Sequence, residues 1–114
     1  MAAPAFALTL AKLQRLTAEF GGQSEVARLL EVDRSRVSRW LRGEEPDPSN
    51  GAALDALEYV WTRLLRTYTA STAVKWLHGF NAHLGNRPPI SLLRQGRVSE
   101  VIAALEQDEA GSYA

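Results

Sequence analysis

Apolar residues recur at intervals of three and four along nearly the whole chain and no run alternates with a period of two, so helices are the regular elements this pattern supports. Leu10, Leu13, Leu16 and Phe20 line one face of a first helix, which Gly21-Gly22 ends. Short helices follow at about Ser24 to Leu30 and Arg34 to Leu41. Leu54, Leu57, Trp61, Leu64 and Tyr68 then step by three, four, three and four along one long helix. This heptad-like seam is too short to demand a coiled coil, and packing on the chain's own C-terminal region is expected ahead of a zipper. Beyond it the pattern predicts a helix from about Thr72, as cap, through Leu84, a break at Pro88-Pro89, and a short turn through Leu92-Leu93 stopped by Gly96. A last helix carries Val98, Val101, Ile102 and Leu105 on one side.

The strongest interruption is GEEPDPSNG, Gly43 to Gly51, whose prolines and glycines oppose a continuing helix. The expected fold is therefore all-α: an N-terminal helical bundle over residues 1–43, a Pro/Gly linker at 44–51, a long connecting helix at 52–70, and a small helical domain with a C-terminal tail at 71–114. A chain of 114 residues buries roughly two-thirds of its unfolded surface, enough for one modest core or two small ones.

Staples are absent, because the chain has no cysteine; a disulfide framework, a thiol nucleophile and a thiolate zinc site are all ruled out. His78 and His83 lie about 140° apart around a helix and so do not form a metal-binding pair. No glycine-rich loop follows a strand, and no His or acid is spaced to argue a nucleophilic triad, so neither catalysis nor a cofactor is expected. The apolar opening Ala2 to Leu10 lacks a basic segment before it and is interrupted by Lys12 and Arg15, which points away from a membrane and towards the cytoplasm.

Lys plus Arg equals Asp plus Glu at 13 each, so any attraction to an anionic partner must be local. The charges are unevenly placed. Seven basic residues against four acidic ones precede Gly43, and between Gly43 and Ala70 five acids face only Arg63 and Arg66.

The stretch QSEVARLLEVDRSRVSRWLRG, Gln23 to Gly43, has the pattern of a helix-turn-helix. Val26 and Leu30 point inward from its first helix, Val32 fills the corner, Val37 and Trp40 point inward from its second, and Ala27 is small where the helices cross. Asp33 is placed to cap the second helix, and Glu31 stands where such turns favour glycine. Once Val37 and Trp40 are buried, Arg34, Ser35, Ser38 and Arg39 are left on the face able to reach base edges in a major groove. Arg36 and Arg42 flank that face, and Gln23 and Ser24 can offer donors to a phosphate. From Arg34 to Arg42 the chain has four arginines and no acid, the local bias that phosphate binding requires. A solvated face of a small helical bundle would carry the same arginines.

The C-terminal half contains Trp76-Leu77, Asn81, Leu84-Gly85, Pro88-Pro89, Leu92-Leu93, Gly96, Val101 and Leu105 in that order. Physically, Trp76 suits a core anchor, Asn81 can close a turn or cap, Gly85 can end a helix in the left-handed conformation, and Pro89 suits a first helical turn. In combination these residues resemble the toxin-binding domain of Xre-type antitoxins, the MbcA/ParS group paired with RES-domain toxins. With the helix-turn-helix in front, the resemblance covers most of the chain.

The resemblance implies an antitoxin that holds an NAD-consuming RES-domain toxin inactive, forms a homo-oligomer and a hetero-oligomer with that toxin, and represses its own promoter by binding operator DNA. It carries toxin binding onto Trp76, Asn81, Val101 and Leu105, and onto Gly111, Ser112, Tyr113 and Ala114 of the terminal stretch Glu106 to Ala114. That stretch has the composition of a peptide that orders on binding, with a glycine for a bend and Tyr113 as an apolar anchor; a frayed acidic tail would look the same. The seam from Leu54 to Tyr68 is the longest candidate surface for self-association. The competing reading is a stand-alone dimeric helix-turn-helix regulator whose C-terminal half only dimerises.

Overall fold

A computed structural model describes residues 5–111, with side chains from Leu10 onward. Its regular elements are all helical: α1 Ala5–Phe20, α2 Gln23–Leu30, α3 Arg34–Leu41, α4 Pro48–Thr67, α5 Ala70–His78, a 3₁₀ turn Ala82–Leu84, α6 Pro89–Arg94 and α7 Val98–Gly111. No strand occurs among the described residues, only an isolated bridge between Asn81 and Arg87. The all-α expectation holds. The chain divides into two compact units, residues 1–55 and 56–114.

The first unit forms because α1, α2 and α3 each have one apolar face. Leu13, Leu16, Val26 and Val37 are fully buried, joined by Trp40, Leu29 and Leu30. The turn between α2 and α3 is short because Glu31 is left-handed, at φ 55° and ψ 47°. Val32 N–H then reaches back to Ala27 O at 3.0 Å, satisfying a carbonyl that the end of α2 would orphan. Asp33 occupies the cap position of α3 in extended conformation, but its side chain makes no capping bond. Its backbone carbonyl accepts from Arg36 N–H at 3.0 Å instead.

The linker is shorter than expected. Proline stops a helix from its interior yet suits a first turn, and α4 starts at Pro48, with Asn50 and Gly51 inside it. The division between the units, after Asp55, consequently falls within α4.

In the second unit, Leu57, Val60, Trp61 and Leu64 of α4 are buried, as are Ala73 and Leu77 of α5, Ile90, Leu92 and Leu93 of α6, and Val101, Ala104 and Leu105 of α7. Arg63 ties α4 to α7 through Glu109 at 3.0 Å and Glu106 at 3.6 Å. The helix expected from Thr72 to Leu84 is two elements. Thr69, not Thr72, is the cap, its Oγ1 accepting from Thr72 N–H at 3.3 Å. The helix ends at Gly79, where a Cβ would sit 3.0 Å from Lys75 O. Pro89 opens α6, and α7 runs on to Gly111, so Glu106 to Gly111, expected as a tail, are helical. Ser112, Tyr113 and Ala114 lie outside the described residues.

Candidate functional site

Two surfaces carry chemistry, one in each unit. In the first, burial of Val37 and Trp40 fixes the phase of α3. Arg34, Ser35 and Arg39 are exposed, as is Arg42 just past the helix end; Arg36 and Ser38 are half-buried. At the start of α2, Ser24 is exposed and Gln23 half-buried, after an uncapped Gly22, so the first backbone donors of that helix have no side-chain acceptor at their head.

The partners of these arginines were not foreseen. Arg39 Nε donates to Glu44 Oε2 at 3.2 Å, and Arg36 Nη2 to Asp47 Oδ1 at 3.3 Å. Arg42 Nη1 donates to Ser38 Oγ at 2.8 Å, which preorganises two expected DNA-facing side chains against each other. Asp47 also begins α4: its carboxylate accepts from Asn50 Nδ2 at 2.7 Å and from Asn50 N–H at 3.3 Å. The Asn50 side chain first, then backbone N–H groups at Asn50 and Asp47 and, least, Arg36 hold the Asp47 carboxyl below the usual carboxylate range.

In the second unit, Asn81 is the buried polar residue among those described, and both its backbone and its side chain are hydrogen-bonded. Its N–H donates to Arg87 O at 3.3 Å, and its carbonyl accepts from Leu84 and Asn86, both at 2.9 Å. Its Oδ1 accepts from His83 N–H at 2.9 Å and caps the 3₁₀ turn, while its Nδ2 donates to Asp108 Oδ2 at 3.3 Å. Trp76 Nε1 donates to the same oxygen at 2.7 Å, and His83 Nε2 lies 3.3 Å from Asp108 Oδ1. Asp108, Asn81, Trp76 and His83 line an open groove of about 800 Å³, together with Tyr68, Lys75 and Phe80. Phe80 is 83% exposed, the most exposed large apolar side chain among those described.

The residues assigned to toxin binding thus separate. Val101 and Leu105 are fully buried and face the core, so they are corrected from contact residues to packing residues. Asn81 is structural by its bonding, and Trp76 is half-buried with its indole edge committed to Asp108. Gly111 ends α7, exposed, at the edge of the groove. Phe80, which sequence reasoning passed over, is the accessible aromatic; its signal was a large apolar residue directly after the helix-ending glycine. In the seam Leu54, Leu57, Trp61 and Leu64 are at most 1% exposed, so it is core, the use expected ahead of a zipper, and the alternative of a free association surface falls away.

Among the described residues, no three of His, Asp and Glu converge as a metal site, and no helix is long and apolar enough to cross a membrane. No family model, curated protein or solved structure matches the chain.

Proposed function

We propose that the chain is a cytoplasmic antitoxin of a type II toxin–antitoxin pair. In this reading α2 and α3 are a helix-turn-helix that binds operator DNA upstream of its own reading frame. Arg34, Ser35, Ser38 and Arg39 address base edges, while Gln23, Ser24, Arg36 and Arg42 address phosphates. The second unit binds a RES-domain, NAD-degrading toxin, with the groove around Phe80 as the docking surface and the residues after Gly111 as the segment that enters the toxin's cleft. The chain contributes binding groups only.

The observation that carries this reading is the pairing, in one chain, of an arginine-bearing helix face with a second unit that has the Trp-Leu, Asn, Leu-Gly, Pro and Leu-Leu order of the antitoxin domain and an exposed aromatic in its groove. An aromatic exposed to this extent gains on being covered, and burial of such a ring is worth roughly 1.5–3 kcal/mol, or about ten- to a hundredfold in affinity.

The test is to co-purify the chain with the protein encoded by the adjoining reading frame and to follow NAD consumption. Complex formation with loss of turnover is expected. Phe80→Ala should weaken the complex at least tenfold. Removal of residues 112–114, which leaves every described element intact, should leave the complex but restore turnover. A chain that binds its upstream DNA yet neither binds nor inhibits that protein is a stand-alone regulator, and the antitoxin reading then fails.

A further inference from the structure

The α3 arginines meet their acids by construction. Gly43 N–H donates to Trp40 O, and Glu44 N–H to Arg39 O, both at 3.0 Å, so the backbone after α3 is fastened to its last turn. Pro46 is buried, and Asp47 is fixed by its role at the head of α4. Glu44 is therefore delivered to Arg39 by a held backbone. The pair is about half exposed on both sides, at 45% and 54%, and pairs of that kind add little to stability. Its consequence lies in what Arg39 is free to touch.

We propose that Glu44 is a specificity-determining residue for DNA binding: its carboxylate stands in for a phosphate on Arg39 and withholds that arginine from nonspecific contacts. The proposal rests on the DNA-reading part of the proposed function. A phosphate offers Arg39 anionic oxygens in place of the carboxylate oxygen it already has, so the exchange of one anion for another gains little, and the displaced carboxylate is left beside the phosphate backbone. A guanine edge accepts two N–H groups from one guanidinium, a geometry that the single Nε contact to Glu44 does not supply. Arg39 thus leaves Glu44 for a correct base and stays with it on an incorrect sequence. While it stays with Glu44, Arg39 neutralises no phosphate, so a nonspecific complex releases no DNA counterion on its account.

Salt titrations on two duplexes, the upstream region of the chain's own frame and a random sequence of equal length, test this with Glu44→Gln, Glu44→Ala and Glu45→Gln. Glu45 is exposed in the same segment, and its substitution changes net charge without freeing Arg39. Both Glu44 variants should bind the random duplex about five- to tenfold more tightly at low salt, with a salt slope steeper by about 0.9. On the upstream duplex the gain should be only about two- to threefold, so discrimination falls, and Glu45→Gln should change discrimination little. The Ala variant guards against an amide that still bonds Arg39, and melting curves matching the parent confirm the fold. If Glu44 and Glu45 variants behave alike, or the slope on random DNA is unchanged while the parent binds DNA, the gate is wrong and DNA reading stands. If parent and variants bind neither duplex, DNA reading falls and the gate with it.

Discussion

The α3 face and the Asp108 node both pair carboxylates with nitrogen donors, yet they belong to different parts of protein physics. Around α3, Glu44 and Arg39 are each about half exposed, and water can replace either partner. Around Asp108, the acceptors and donors enclose a buried carboxamide, and Trp76 and Asn81 reach the acid from 32 and 27 residues away. Exchange with solvent makes the first arrangement a competitor for ligands. Burial of Asn81 makes the second a fastening, since the groups that this carboxamide bonds are costly to leave unpaired.

The largest test of that contrast is a pair of truncations. Asn81→Ala removes the cap of the 3₁₀ turn and one donor to Asp108, and should lower stability by about 2–3 kcal/mol in a denaturant melt. Glu44→Ala should stay within about 0.5 kcal/mol of the parent. Hydrogen exchange should confine the Asn81 loss to α5 through α7. Equal losses at the two positions would erase the distinction between competitor and fastening.

That contrast also sets how much the sequence conveyed. Helix phase depends on neighbours three and four residues away, so the inward set Val26, Leu30, Val37 and Trp40 and the outward arginines were both legible. Local rules misled where one residue type has two uses. Pro48 reads as a helix stop and in fact opens a helix, and the three- and four-residue spacing of Leu77, Phe80 and Leu84 hides the break at Gly79. Nothing local announced the Asp108 node, because its members meet only after α5 and α7 have packed in the second unit. Likewise Glu44 reaches back five residues to Arg39 across a helix end, a spacing that a continuous helix does not bring together. The resemblance named buried residues such as Val101 and Leu105 because motifs record what the fold requires, whereas exposed Phe80 carries no such constraint.

A smaller effect of opposite sign is expected at the turn before α3. Glu31 holds a left-handed backbone, which costs a residue with a Cβ about 1–2 kcal/mol. Glycine removes that strain but has more freedom to lose on folding, about 0.5–1 kcal/mol. Glu31→Gly should therefore raise stability by roughly 0.5–1 kcal/mol in the same melt. A loss would mean that contacts of the Glu31 side chain outweigh its backbone strain, and that this surface, too, contains a fastening.

The smallest effect separates the two duties of Asp47, which both caps and pairs. Its carboxyl is held below the ordinary value of 3.8, by the Asn50 side chain first, against a desolvation that pushes the other way, then by backbone N–H groups at Asn50 and Asp47, and least by Arg36. A depressed folded value means that the ionised form favours the fold. The contribution is fully present above the unfolded value and is lost as pH falls through the lower folded one. An NMR titration of the Asp47 carboxyl should therefore show it protonating below its unfolded counterpart, with Asn50→Ala moving it up more than Arg36→Ala does. That order keeps Asp47 anchored at the head of α4 and leaves Arg36 free to exchange its acid for a phosphate. The reverse order would make the Arg36 contact the principal hold on Asp47, and this part of the α3 face would then resemble the Asp108 node: a fixed joint instead of a surface waiting for a ligand.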